Sequence, residues 1–224
     1  MDAMPHSDSV ERIAGEAGSR LILLCDHATN AVPAEFGGSL GLPQEDMDRH
    51  IAYDVGARGV TLRLAERLGA VALLTRYSRL VIDPNRGPDD PTLVRRIYDR
   101  SIIPGNRHAG VEEVARRRAR YYDPYNAAIA TEIEATLARG QVPVIVSIHS
   151  FTPQFKGRPP RPWHVGILWD EVDGRLALPL MSALRAEGDL CVGDNEPYTG
   201  KYEGDTLDRH AFRRGLPAVL IELR

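Results

Sequence analysis

Four apolar runs of this chain end on residues that can do chemistry. "VIVSIHS" closes on His149, the run at 20–27 closes on Asp26-His27, the 71–83 segment leads into Asp83-Pro84-Asn85-Arg86, and the last run closes on Glu222-Leu223-Arg224. Alone, His149 could simply be a hydrogen-bonded residue where a strand meets a loop. Taken together, two histidines and a glutamate are the ligand types of a catalytic zinc, which usually takes three protein ligands and keeps one position for water. Bound zinc lowers the pKa of that water to about 7, and a nearby carboxylate can take its proton during attack on a carbonyl. An unpaired carboxylate inside an apolar strand is expensive, so Glu222 is expected to be paired or to stand beside a metal. Arg86 sits in the Pro/Gly/Asp-rich loop "PNRGPDDP", either paired at the surface with Asp89 or Asp90 or clamping a substrate carboxylate with its two-pronged guanidinium. Asn195, Tyr198 and His210 fall in a late Gly-containing loop that reads as a mobile cover, able to supply an oxyanion donor or a pocket wall. His6 and His108 are expected at the surface.

These residues need elements to carry them. The runs at 20–27, 71–83, 142–149, 163–170 and 189–195, and the C-terminal "GLPAVLIELR", have the length and apolar character of buried strands. Helical spacing appears over 50–70, which stops at Gly-Ala, over 110–139 with an interruption at Pro124, and over 174–187. Alternating strands and helices predict a single domain, 1–224, built as a three-layer α/β/α sandwich, with 1–19 as a flexible N-terminus. Ligand sites of open α/β sheets lie beyond the carboxyl ends of the strands, where His27, His149 and Glu222 would stand. His164 begins its run and would lie at the opposite rim if that strand is parallel. The hydroxyls of Ser147 and Ser150 are expected on the opposite strand face from His149, against a Ser–His pair. No HExxH, GxSxG, GxxxxGK[ST] or GxGxxG motif occurs.

The bulk numbers exclude several classes. The 224 residues are 43% hydrophobic and 26% charged, ordinary for a globular protein. A net charge of -3 gives no field to gather nucleic acid or anionic lipid, and the Arg116-Arg117-Arg118 run reads as a solvated helix face. No stretch approaches the roughly 20 apolar residues of a membrane span. The polar, acidic N-terminus does not resemble a signal peptide. Cys25 and Cys191 read as buried free thiols of a reducing cytoplasm.

The segments "CDHATNAVP", "HIAYDVGA", "SRLVIDPNR", "IPGNR", "SIHSFTP", "RPWHVGILW", "GDNEPYTG" and "GLPAVLIELR" together resemble the N-formylglutamate amidohydrolase family, from about residue 20 to 224. The resemblance implies a zinc-exopeptidase-like fold with a mixed, mostly parallel sheet and one zinc ion per chain. It implies His27 and His149 as zinc ligands. For the third ligand it favours His50, with Asp54 four residues on as its partner or as the alternate ligand. Position 30, where zinc carboxypeptidases carry a glutamate, is Asn30. The implied catalytic residues are Glu222 as base and Arg86. The implied substrate-binding set is Asn85, Arg86, Ser150, Asn195 and Tyr198. The expected substrate is a small, acidic N-acyl amino acid such as N-formylglutamate. The rivals are a carboxypeptidase-like or other deacylase, and a binding protein on the same fold.

Overall fold

The structure, a computed structural model, describes residues 9–155 and 157–224. Nine strands are described: β1 Val10–Ile13, β2 Leu21–Cys25, β3 Val71–Thr75, β4 Ile97–Tyr98, β5 Ser101–Ile102, β6 Val144–Ser150, β7 Val165–Leu168, β8 Val192–Asp194 and β9 Ala218–Leu223. The helices are α1 Gln44–Met47, α2 Ala57–Leu68, α3 Val111–Arg117, α4 Asp123–Ala138, α5 Ala177–Ala186 and α6 Thr206–His210. Seven strands form one sheet in the order β1-β3-β2-β6-β9-β7-β8. The central β3, β2, β6 and β9 run parallel. β1 is antiparallel at one edge, and the parallel pair β7 and β8 runs against β9 at the other. The architecture is a mixed, mostly parallel α/β sheet with helices on both faces.

Strand alternation sends the two sets of side chains into two cores. Leu23, Cys25, Leu74, Val146 and Ile148 pack with Ala57 and Ala65 of α2 and Ala177 and Met181 of α5. Small residues Ala57, Thr61 and Ala65, one turn apart, are the buried face of α2 and let it lie close to the sheet. On the other face Ile22, Leu24, Ile145 and Leu220 meet Tyr125, Ile129 and Ile133 of α4 and Leu207 of α6. A third cluster, including Tyr77, Leu80, Val81, Ile82, Leu93, Tyr121 and Tyr122, packs the long connections. Among the described residues no helix is long and apolar enough to cross a membrane.

Several expectations change. β1 lies inside the segment expected to be flexible and pairs with β3; residues 1–8, with His6, lie outside the described residues. Residues 48–56 form turns, and α2 begins only at Ala57, after Gly56 at a left-handed φ of 82°. Strand β3 ends at Thr75, and 76–83 runs as loop. Pro124 does not break its helix. The preceding turn, Arg118–Tyr122, widens to π-helical geometry and the axis continues into α4, absorbing the hydrogen bond that proline cannot donate. Arg117 is buried rather than solvated, donating to Glu113 Oε1, the Val81 carbonyl and Asn106 Oδ1. Cys25 is buried as expected, but Cys191 is exposed. Because β7 is antiparallel to β9, with Val165 opposite Leu223, His164 stands at the rim that holds Glu222.

Candidate active site

His27 follows β2, His149 lies near the end of β6, and Glu222 lies near the end of β9. In the β6–β9 ladder His149 is registered directly with Glu222, so both side chains leave the same face a strand spacing apart. Asp54 arrives from the turn before α2, held by its N–H on the His27 carbonyl at 3.0 Å. Its Oδ2 lies 3.3 Å from His27 Nδ1 and 2.9 Å from His149 Nδ1, and accepts from the Ser150 N–H at 3.2 Å. His27, Asp54 and His149 are the one buried group among the described residues whose donor atoms converge as a metal site requires. The imidazoles meet edge to face, centroids 4.9 Å apart.

Each imidazole is held from behind by a second carboxylate. His27 Nε2 is 2.7 Å from Asp83 Oδ1, and His149 Nε2 is 3.0 Å from Asp26 Oδ2. Donating from Nε2 fixes the tautomer that leaves Nδ1 as the ligating atom. Asp26 adjoins His27 in sequence, but both lie in the turn after β2, where their side chains part. Asp26 therefore serves His149, and Asp83 serves His27. Tyr125 and Thr206 donate to Asp26 Oδ1 at 2.9 and 3.3 Å. Ser147, two positions before His149, shares its face by strand alternation. Its Oγ is 3.0 Å from His149 Nε2 and 3.1 Å from Asp26 Oδ2, contrary to the expectation that it points away.

Arg79, which carried no role in the sequence, is buried and puts Nη1 2.9 Å from Asp54 Oδ1 and Nη2 3.6 Å from Asp83 Oδ2. Burial alone would raise the Asp54 and Asp83 carboxyls, but His27 and Arg79 hold both well below the usual range. Burial would lower His149, yet its hydrogen bonds to Asp26 and Asp54 push it well above the usual imidazole value. Glu222 goes the other way. Burial, with Asp54 adding to it, pushes its carboxyl up to about 8 against His149, Arg79 and Arg161, and Oε2 has no hydrogen-bond partner among the described residues.

These groups open into a cavity of about 360 Å³, a volume suited to a small molecule. Asn85, Arg86, Tyr202 and Asp205 line one wall, and Leu168, Leu220 and Tyr198 line another part. The Arg86 guanidinium stacks on Tyr202 at 4.7 Å, its Nη1 donates to the Asn85 carbonyl at 2.7 Å, and its buried Nε has no partner among the described residues. The loop carrying it is fixed from three sides: Thr206 N–H donates to Asn85 Oδ1, Arg209 to the Pro84 carbonyl, and Tyr122 of the π turn to the Arg86 carbonyl. Among the described residues Arg86 makes no ion pair with Asp89 or Asp90; Asp90 instead accepts from Tyr202 and Thr92.

The structure brings most of the expected residues together, with exceptions. His50 lies at the cavity with Nδ1 3.5 Å from Asp54 Oδ1, outside the converging donor set. Asp54, the alternate, takes the third place. The two meet through a run of turns rather than along a helix. Asn195 does not line the cavity: its Oδ1 accepts the N–H groups of Trp169 and Gly200, which suits a left-handed residue (φ 51°) ordering its own loop. His210 bonds Asn126 Oδ1 away from the cavity. His108 is exposed, as expected. Asp26, Arg79 and Asp83 were the missed partners, and no local spacing marks them, because 76–83 runs as loop.

A family model described as N-formylglutamate amidohydrolase matches residues 19–224. The crystal structure of a gene product from Agrobacterium tumefaciens is similar over 98% of this chain and 86% of that one, at 35% identity and a TM-score of 0.89. The crystal structure of N-formylglutamate amidohydrolase from Ralstonia eutropha JMP134 is similar over 97% of this chain and 86% of that one; at 23% identity, its TM-score of 0.72 speaks for the fold alone. No match is found among curated proteins. With the family model matching nearly the whole length, the chain belongs to the N-formylglutamate amidohydrolase family.

Proposed function

We propose that this chain is a zinc-dependent amidohydrolase that cleaves the N-acyl amide of a small acidic amino acid, N-formylglutamate being the first candidate. The observation that carries it is the convergence of His27 Nδ1, His149 Nδ1 and Asp54 Oδ2 beside a Glu222 oxygen without a partner among the described residues. The donor set fits zinc: two imidazoles and a carboxylate are common catalytic ligands, and both rings are oriented by a carboxylate on the other nitrogen.

When bound, zinc supplies a Lewis acid that polarises the acyl carbonyl and makes water acidic enough to ionise near pH 7. The remaining work belongs to the chain. Arg86 and Asn85 hold the substrate carboxylate and so fix which amide lies beside the histidines. Glu222 takes the proton from the attacking water and returns it to the leaving amine. Burial raises the Glu222 carboxyl, and beside a bound cation it would come down again and serve as a base. Ser150 contributes its backbone N–H to holding Asp54, and Tyr198 closes the cavity with its hydroxyl accepting from Arg161 at 3.0 Å.

The test is metal content and N-formylglutamate turnover on one preparation, with His149→Ala in parallel. One zinc per chain and turnover in the parent, with both lost in the variant, is expected. Full metal retention in His149→Ala would remove the ligand assignment, and an inactive, metal-loaded parent would remove the substrate.

A further inference from the structure

A smaller annex of about 120 Å³ adjoins the main cavity and shares His50, Tyr98 and Phe155 with it. Ile51, Thr152 and the Arg49–Asp99 ion pair close it. Arg49 is satisfied there, donating to Asp99 at 2.5 Å, to Asp46 at 2.6 Å and to Ser101 at 2.9 Å. Among the described residues the annex therefore offers no spare cation to an anionic group, and Ile51, Phe155 and the ring of Tyr98 give it apolar wall beside His50 and Thr152. It shares no lining residue with the Asn85–Arg86–Tyr202 wall.

The covalent order of an N-acyl amino acid decides what reaches it. The carboxylate comes first, then the α-carbon with its side chain, the amide nitrogen, the acyl carbon and the acyl chain. With the carboxylate at Arg86 and the acyl carbonyl beside His27, Asp54 and His149, the side chain branches off on the Arg86 side. The acyl chain continues past the centre, and His50, whose Nδ1 is 3.5 Å from Asp54 Oδ1, lines both the main cavity and the annex beside it. A formyl group ends at its carbonyl carbon and leaves the annex unused. A volume of 120 Å³ corresponds to about four molecules of liquid water, enough for a short aliphatic tail.

We infer that the annex is an acyl subsite and that this chain accepts N-acyl groups of about two to four carbons as well as formyl. The choice of acyl chain as occupant rests on the amidohydrolase reading. The reaction is unchanged in kind: the amide C–N bond breaks, the oxygen of water bonds to the acyl carbon, and the products are a short carboxylate and a protonated amino group. The carboxylate product keeps its tail in the annex, which provides a probe independent of turnover.

The experiment uses the zinc-loaded full chain. Calorimetry compares formate with butyrate, and kcat/KM is measured for N-formyl-, N-acetyl- and N-butyrylglutamate, each in the parent, in Thr152→Phe and in Thr152→Ala. Butyrate should bind at least tenfold more tightly than formate, since each buried methylene is worth about fourfold in a binding constant. Thr152→Phe, which fills the annex, should cut that ratio at least tenfold; Thr152→Ala, which widens it, should preserve or increase it. Equal binding of the two acids by the parent, a ratio unchanged in Thr152→Phe, or a ratio reduced in Thr152→Ala overturns the inference. If the acids discriminate as expected while no N-acylglutamate is hydrolysed, the annex stands and the amidohydrolase reading falls. If formyl is cleaved with a preference above a hundredfold and the acids bind alike, the reading stands and the annex falls.

Discussion

Glu222 shows how one side chain's role follows from its surroundings. Burial favours its neutral form, and its oxygen without a partner among the described residues faces a cluster that a cation would complete. Glutamine resembles the protonated acid in size and hydrogen bonding, so Glu222→Gln should fold normally and keep its metal. It cannot take a proton near neutral pH, and turnover should fall by about 10²–10⁴, the usual worth of a general base. Unfolding of this variant with full activity in the folded remainder would make Glu222 a structural group. At Arg86 the test is geometry at constant charge. Arg86→Lys keeps a cation but loses the planar fork. KM for acidic N-acyl substrates should therefore rise at least tenfold, and KM for their α-amides should change little; equal effects on both would mean that Arg86 does not hold the carboxylate. Both residues were visible in the sequence as charges at the ends of apolar runs. Arg79 was not, because nothing in a linear string shows that its guanidinium folds back between Asp54 and Asp83.

Elements decide which groups are buried and in what state. Asp205 caps α6, accepting the Asp208 N–H at 2.8 Å. Its burial raises the carboxyl to about 7, with Asp26 and Asp208 adding to the rise and the Asp208 N–H and His149 opposing it. A carboxyl raised in the folded state favours the protonated form, so the stability it contributes is full below about pH 4 and is lost as pH rises toward 7. The substitution Asp205→Asn keeps a good cap and leaves no proton to lose. The melting temperature of metal-free Asp205→Asn should thus fall less between pH 4 and 7 than that of the parent. Parallel curves would mean that Asp205 ionises normally. At this scale the sequence located the strands well, since β2, β6 and β9 are continuous apolar runs. It misjudged the stretch before α2, where His50, Asp54 and the glycine at 56 read as one helix. Periodicity alone cannot show that Gly56 takes a left-handed φ and that the chain turns through 48–56 to deliver Asp54.

Over the whole molecule, the metal-ligand candidates come from positions 27, 54 and 149, which no local segment holds together. A cation there would tie β2, β6 and the turn before α2 to one point, and binding only the folded state raises stability by mass action. At a hundredfold excess over the dissociation constant this is about 2.7 kcal/mol, or roughly 5–10 °C for a chain of this size. Chelation should lower the melting temperature by that amount and zinc should restore it, whereas His149→Ala should show no zinc response. A parent indifferent to chelator would argue against a metal in this cluster. The sequence by itself determined the alternating α/β plan, the family, and the presence of His27, His149, Arg86 and Glu222 at strand ends, because apolar period and end residues are local properties. The tertiary structure decided which partner each side chain has: Asp26 on His149 rather than on its neighbour His27, Asp54 rather than His50 in the donor set, Ser147 on the histidine face, and Asn195 in its own loop. Strand register and turn geometry set those pairings, and both are fixed only when the sheet closes around them.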